Sequence, residues 1–128
     1  MDKSALLAAR KRSREKTVDL GDGKSVQFRR PPEVDMASLL TGSGDTRTWS
    51  VGIEHVRKYV TGWEGFTEAD LLGAGVGASD PVPFDPELWD DLCSDNIQWV
   101  SKVADAILRA VVDHITQQDA IAKNSVPA

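Results

Sequence analysis

Side chains able to do covalent or metal chemistry are scarce in this chain: two histidines, His55 and His114, and one cysteine, Cys93. A zinc-type site takes three or four His, Cys or carboxylate ligands at short spacing, and neither histidine has a second His or Cys within that reach. Each reads as an ordinary packed or solvent-facing position on its own predicted helix. Cys93 with a distant histidine supplies the types of a nucleophile and its base. A lone cysteine beside a helix end is nevertheless the pattern of a small buried residue, and being single it forms no internal disulfide. No catalytic residue, metal site or cofactor is expected.

Gly73-Ala74-Gly75-Val76-Gly77-Ala78 has the letters of a dinucleotide-binding loop. That loop works only between a strand and a helix whose free N–H groups meet the phosphates. Asp80-Pro81 follows directly and blocks such a helix, so the run reads as surface loop. Arg10-Lys11-Arg12-Ser13-Arg14 could contact phosphates, since clustered cations release counterions from nucleic acid. The run lacks interleaved aromatics and the remaining chain is acidic, which favours a solvated helix end and makes nucleic acid an unexpected partner. Four tryptophans remain: Trp49, Trp63, Trp89 and Trp99. Each is first a core anchor, but tryptophan also buries a large area at binding hot spots with few rotamers to freeze. Trp89 and Trp99 lie near helix starts beside the loop. With Phe84 and Leu88, and with Arg10, Arg12 and Arg14 of the basic arm, they form the candidate partner-binding set.

These residues need elements to position them. Residues 1–16 read as a basic N-terminal helix or mobile arm whose apolar face is too short to hold alone. Residues 17–29 alternate around Gly21-Asp22-Gly23-Lys24, the signal of a β-hairpin. A two-stranded hairpin is marginal by itself, so its Val18, Leu20, Val26 and Phe28 face should lie on helices. Helices are predicted over about 34–40, 48–61, 86–93 and 96–118. Gly62 is read as the C-terminal stop of the second, and Asp85-Pro86-Glu87 as the N-terminal signature of the third. Ser94 or Asp95 would cap the last, along which Lys102, Asp105, Arg109 and Asp113 would pair. Residues 120–128 should fray. The stretch from Val60 to Leu92 organises the rest, with Trp63 and Phe66 on one side of the insert and Phe84, Leu88 and Trp89 on the other.

The fold class is therefore α+β and mainly α-helical: an N-terminal hairpin packed on a small helical bundle with a long C-terminal helix, in one globular domain over 17–119. The 128 residues suffice for one modest core. No apolar run approaches the ~20 residues of a membrane span, and no signal-peptide pattern opens the chain, so a cytosolic protein is expected. Residues 1–30 carry nine Lys/Arg against four Asp/Glu, and 31–128 carry six against sixteen. The two segments thus hold +5 and −10, an asymmetry that suits a basic arm for an acidic partner or neighbouring copies meeting head to tail.

In order, hairpin, helix, Gly62-Trp63-Glu64-Gly65-Phe66, insert, Pro83-Phe84-Asp85-Pro86-Glu87 and long helix resemble a tail assembly chaperone of long-tailed, siphovirus-like bacteriophages. In that family a "V-x-G-W-x-G" phrase ends a helix and a "P-F-s-x-E" phrase opens the next. The resemblance covers about residues 17–118, leaving the basic N-terminal helix and the Gly-rich insert unmatched. It implies a non-enzymatic protein of the host cytoplasm that binds the tape measure protein, keeps it soluble, helps recruit tail tube protein, works as a homo-oligomer or array, and is absent from the mature virion. The alternatives are a small nucleic-acid-binding regulator using the basic arm and a structural tail or connector subunit.

Overall fold

The computed structural model describes residues 1–73 and 75–125; of the stretches read above, Ala74 of the Gly run and 126–128 of the tail lie outside them. The elements are α1 (Lys3–Ser13), β1 (Glu15–Gly21), β2 (Lys24–Arg29), α2 (Glu33–Met36), β3 (Leu40–Thr41), β4 (Thr48–Trp49), α3 (Ile53–Tyr59), β5 (Val60–Glu64), α4 (Glu68–Leu72), α5 (Pro86–Asp95) and α6 (Ile97–Ser125). The class is α+β with helix predominant.

The hairpin forms because Asp22 and Gly23 take the positive φ values, 52° and 76°, that a two-residue turn between twisted strands requires. Val18 then stands opposite Val26, and Leu20, Val26 and Phe28 are buried. The basic helix ends sooner than its composition suggests: Lys16 already belongs to β1, opposite Phe28.

The predicted helix over 48–61 is the main correction. Only Ile53–Tyr59 is helical; Thr48–Trp49 pairs with Leu40–Thr41, and Val60–Glu64 is a third strand antiparallel to β2. Gly52 starts the helix late, its N–H held by His55 Nδ1 at 3.0 Å. Helix ends at Val60 because β2 offers an open edge, and β-branched Val60 and Thr61 suit a pleated partner. Gly62 is not a helix stop but a strand residue opposite Gln27. The sheet order is β1-β2-β5, so the hairpin gains stability from a third strand as well as from helices.

Smaller differences follow the same logic. The 34–40 helix is one α turn, Glu33–Met36, continued by a 3-10 turn over Ala37–Leu39. Ser94 and Asp95 lie in the last turn of α5, and Asn96 alone separates it from α6, its Nδ2 donating to the Leu92 carbonyl. The predicted frayed tail is helical through Ser125, because no breaker precedes Pro127 and Gln, Ala and Lys are good helix formers. No ion pair closes among Lys102, Asp105, Arg109 and Asp113; Lys102 instead donates to the Leu20 carbonyl at 3.3 Å.

The core lies between the sheet and helices α3, α5 and α6. Val56 and Tyr59, Trp89, Leu92 and Cys93, and Val103 and Ile107 meet Val26, Phe28, Val60 and Trp63 there. Along α6 the buried line is Val103, Ile107 and Val111, at i, i+4 and i+8. Val111 also packs with Met36 and Leu39 in a satellite cluster.

Candidate functional site

Trp63 is the hub that joins the two sides of the insert. Its ring stacks on Phe66 at 4.4 Å and meets Phe84 and Trp89 edge-on at 5.2 and 6.5 Å. Its indole N–H donates to the Val82 carbonyl at 2.7 Å. The insert is stitched at its ends: Val82 N–H bonds to Phe66 O, and Glu68 N–H to Asp80 O. Thr67 and Asp70 cap α4 reciprocally, and Asp70 reaches Lys24 Nζ at 3.0 Å. At the far side Asp85 Oδ1 accepts the N–H groups of Glu87 and Leu88.

This packing corrects the candidate set. Trp89 is 1% exposed, and its indole N–H donates to the Val56 carbonyl at 3.3 Å, so it supports the core and is closed to a partner. The reason is helical phase: Trp89, Leu92 and Cys93 fall on one face of α5 while Leu88 looks out. Trp99 is half-buried edge-on against Phe66. Phe84 is half-buried against Trp63. Leu88, Phe84 and Trp99 therefore remain accessible in part.

The chemistry-bearing residues are held apart. His55 Nδ1 receives the Gly52 N–H, and His114 Nε2 lies 2.8 Å from Glu33 Oε1. Cys93 is buried, and burial pushes its thiol up to about 11, with Arg57 opposing and Asp90 adding to the shift. Among the described residues no three His, Cys, Asp or Glu converge on a metal position. No helix among them is long and apolar enough to cross a membrane.

The basic arm divides. Arg10, Ser13 and Arg14, at i, i+3 and i+4, line a cleft of about 380 Å³ with Arg30, Glu33 and His114. Arg12 lies off that cleft. Behind it Arg14 also lines a second cleft of about 270 Å³ with Arg29, Asp35, Lys58 and Tyr59. There the Tyr59 hydroxyl donates to Asp35 Oδ2 at 3.0 Å. Burial first, then Asp35, pushes that phenol up to about 12. The Arg29 Nε is buried with no hydrogen-bond partner. Arg30, Glu33 and His114 were not legible as site residues, since 81 positions separate Glu33 from His114. The Arg29-Arg30 doublet was the only local signal.

The fold is an α+β domain in which His55, Cys93 and His114 stand on three separate helices, α3, α5 and α6. No protein family, curated protein or solved structure matches the chain.

Proposed function

We propose that the chain is a tail assembly chaperone of a long-tailed bacteriophage, acting without catalysis in the host cytoplasm and absent from the mature virion. It binds the tape measure protein, keeps it soluble and helps recruit tail tube protein. The observation that supports this reading is the meeting of the two sequence phrases that carry the resemblance. Trp63 of one phrase packs on Phe84 of the other and donates to the Val82 carbonyl beside it. The two phrases thus form one structural unit. Accessible Leu88, with the outer edges of Phe84 and Trp99, supplies apolar contact for a helical client. Many weak copies along one client hold by multivalency and are displaced as tube subunits add.

Co-expression with the tape measure protein, followed by size-exclusion chromatography, tests this. The client should stay soluble and co-elute with several copies of this chain, and Leu88→Asp should reduce that co-elution while leaving the circular dichroism unchanged. A client that precipitates while this chain elutes alone removes the proposal. Recovery of the chain in purified particles would instead make it a structural subunit.

A further inference from the structure

The cleft between α1 and α6 collects more cations than its one lining carboxylate, Glu33, can offset. Arg14 is fixed beside Arg30 because the Arg30 N–H donates to the Arg14 carbonyl at 2.8 Å, closing the outer end of the hairpin. Pro31 and Pro32 then turn the chain so that Glu33 opens α2, and its carboxylate holds His114 at 2.8 Å. Arg10 lies one helical turn before Arg14 and faces the same space. Three guanidinium groups from two distant segments thus share one cleft with a single carboxylate, which already serves His114. Among the described residues none of Arg10, Arg14 and Arg30 forms an ion pair; the one side-chain bond is from Arg30 Nη1 to the Pro31 carbonyl. Burial, and then the charge of Arg14, lower the pKa of Arg30, while Glu33 works in the opposite direction without restoring it. An anion in the cleft would reverse the second of these costs and satisfy the open donors.

We propose that this cleft is a binding site for a compact, multivalent oxyanion of the phosphate class, gripped by Arg10, Arg14 and Arg30 with His114 at its floor. Guanidinium forks match the paired oxygens of phosphate, and three of them call for more than the one charge a carboxylate brings. A volume of about 380 Å³ holds a phosphate or pyrophosphate with its waters. The cations converge on a pocket instead of tracking along a stripe, and the chain beyond residue 30 carries −10, which together favour a small anion over a long polyanion. The proposal stands apart from the chaperone reading.

Isothermal titration of the full chain with sodium pyrophosphate, against sodium chloride at matched ionic strength, tests it. Binding should be saturable. Arg30→Gln and Arg14→Gln should each weaken it by at least about tenfold, as the loss of a charge-assisted pair of hydrogen bonds predicts. Arg12→Gln, on the same helix but outside the cleft, should stay within about twofold of the parent, as a screened surface charge does. Should Arg30→Gln not fold, Arg14→Gln carries the comparison. A short single-stranded oligonucleotide provides the second arm. Tighter binding that pyrophosphate displaces makes nucleic-acid phosphate the source, while pyrophosphate binding alone makes it a free phosphate. No saturable binding by either ligand, or equal loss in Arg12→Gln and Arg14→Gln, overturns the site.

Discussion

Gly65→Ala should be among the most damaging single-methyl additions in this chain. Gly65 leaves β5 at φ +83°, where an ideal Cβ would sit 2.1 Å from the Gly23 carbonyl oxygen, 3.0 Å from its carbon and 3.2 Å from Lys24 Cα. All three atoms are backbone of the β1–β2 turn, so no rotamer change relieves the contact. Carbon–oxygen contact distance is exceeded inward by roughly 1 Å, and the turn must shift against the paired strands. The left-handed conformation costs about 1–2 kcal/mol for a residue with a Cβ, and forced displacement of packed atoms about 1–3 kcal/mol more. The sum, about 2–5 kcal/mol, is a large part of a stability of about 5–15 kcal/mol. Gly23→Ala isolates the first effect, because Gly23 has φ +76° and nothing within 4 Å of its ideal Cβ. Urea unfolding of both variants and the parent, with m held constant, gives the comparison. Gly23→Ala should cost about 1–2 kcal/mol, and Gly65→Ala clearly more. Equal midpoints for the two would refute the steric argument and with it the close approach of β5 to the turn.

Two further predictions concern pH. The Tyr59 phenol is held protonated up to about 12 by burial and by Asp35, so between its ordinary value of 10.0 and about 12 the native state keeps a proton the unfolded chain has lost. Stability should fall as pH rises through that window, and Tyr59→Phe, costing about 1 kcal/mol at neutral pH, should close the gap to the parent there. Parallel alkaline limbs in urea titrations would exclude this. Asp70 is the opposite case: burial works to raise its pKa but is outweighed by Lys24 and by the Thr67 N–H and hydroxyl, leaving it lowered. Its contribution is present above the ordinary carboxylate range and lost as pH falls through the lower native value. Asp70→Asn should cost about 1 kcal/mol at neutral pH and give a shallower acid limb; an unchanged slope would show that the Lys24 pair carries no net stability.

What could be seen in the sequence was whatever a short window encodes. The hairpin turn, the Asp85 cap and the helical phase of α6 each rest on residues that are near neighbours along the chain, and the aromatics that close the insert flank it on both sides. Strand β5 was hidden because its cause is remote. Val60 to Glu64 continues a helical pattern and includes a glycine that suits a helix stop, and only the open edge of β2 makes it extended. Trp89 shows a different limit. Its burial on the face of α5 that carries Leu92 and Cys93 agrees with its reading as a core anchor first, while its place in the partner-binding set rested on residue type and position beside the loop. The cationic cleft is beyond any window, being assembled from positions 10, 14, 30 and 114.

That division bears on what the phrase Gly62-Trp63-Glu64-Gly65-Phe66 can report. Trp63 and Phe66 are buried, and Gly65 is fixed by the turn it nearly touches. The physical constraints on these residues come from packing, so a match to the phrase speaks for a shared way of folding an insert onto a core. Binding specificity must come from side chains outside that packing. Leu88 on the exposed face of α5 and the unpaired arginines around Arg30 are free of it, since neither is held by the core. On the proposed readings, substituting Leu88 or Arg14 should change binding with the fold intact, whereas substituting the phrase should change the fold first, and only the former can separate the chaperone reading from its rivals.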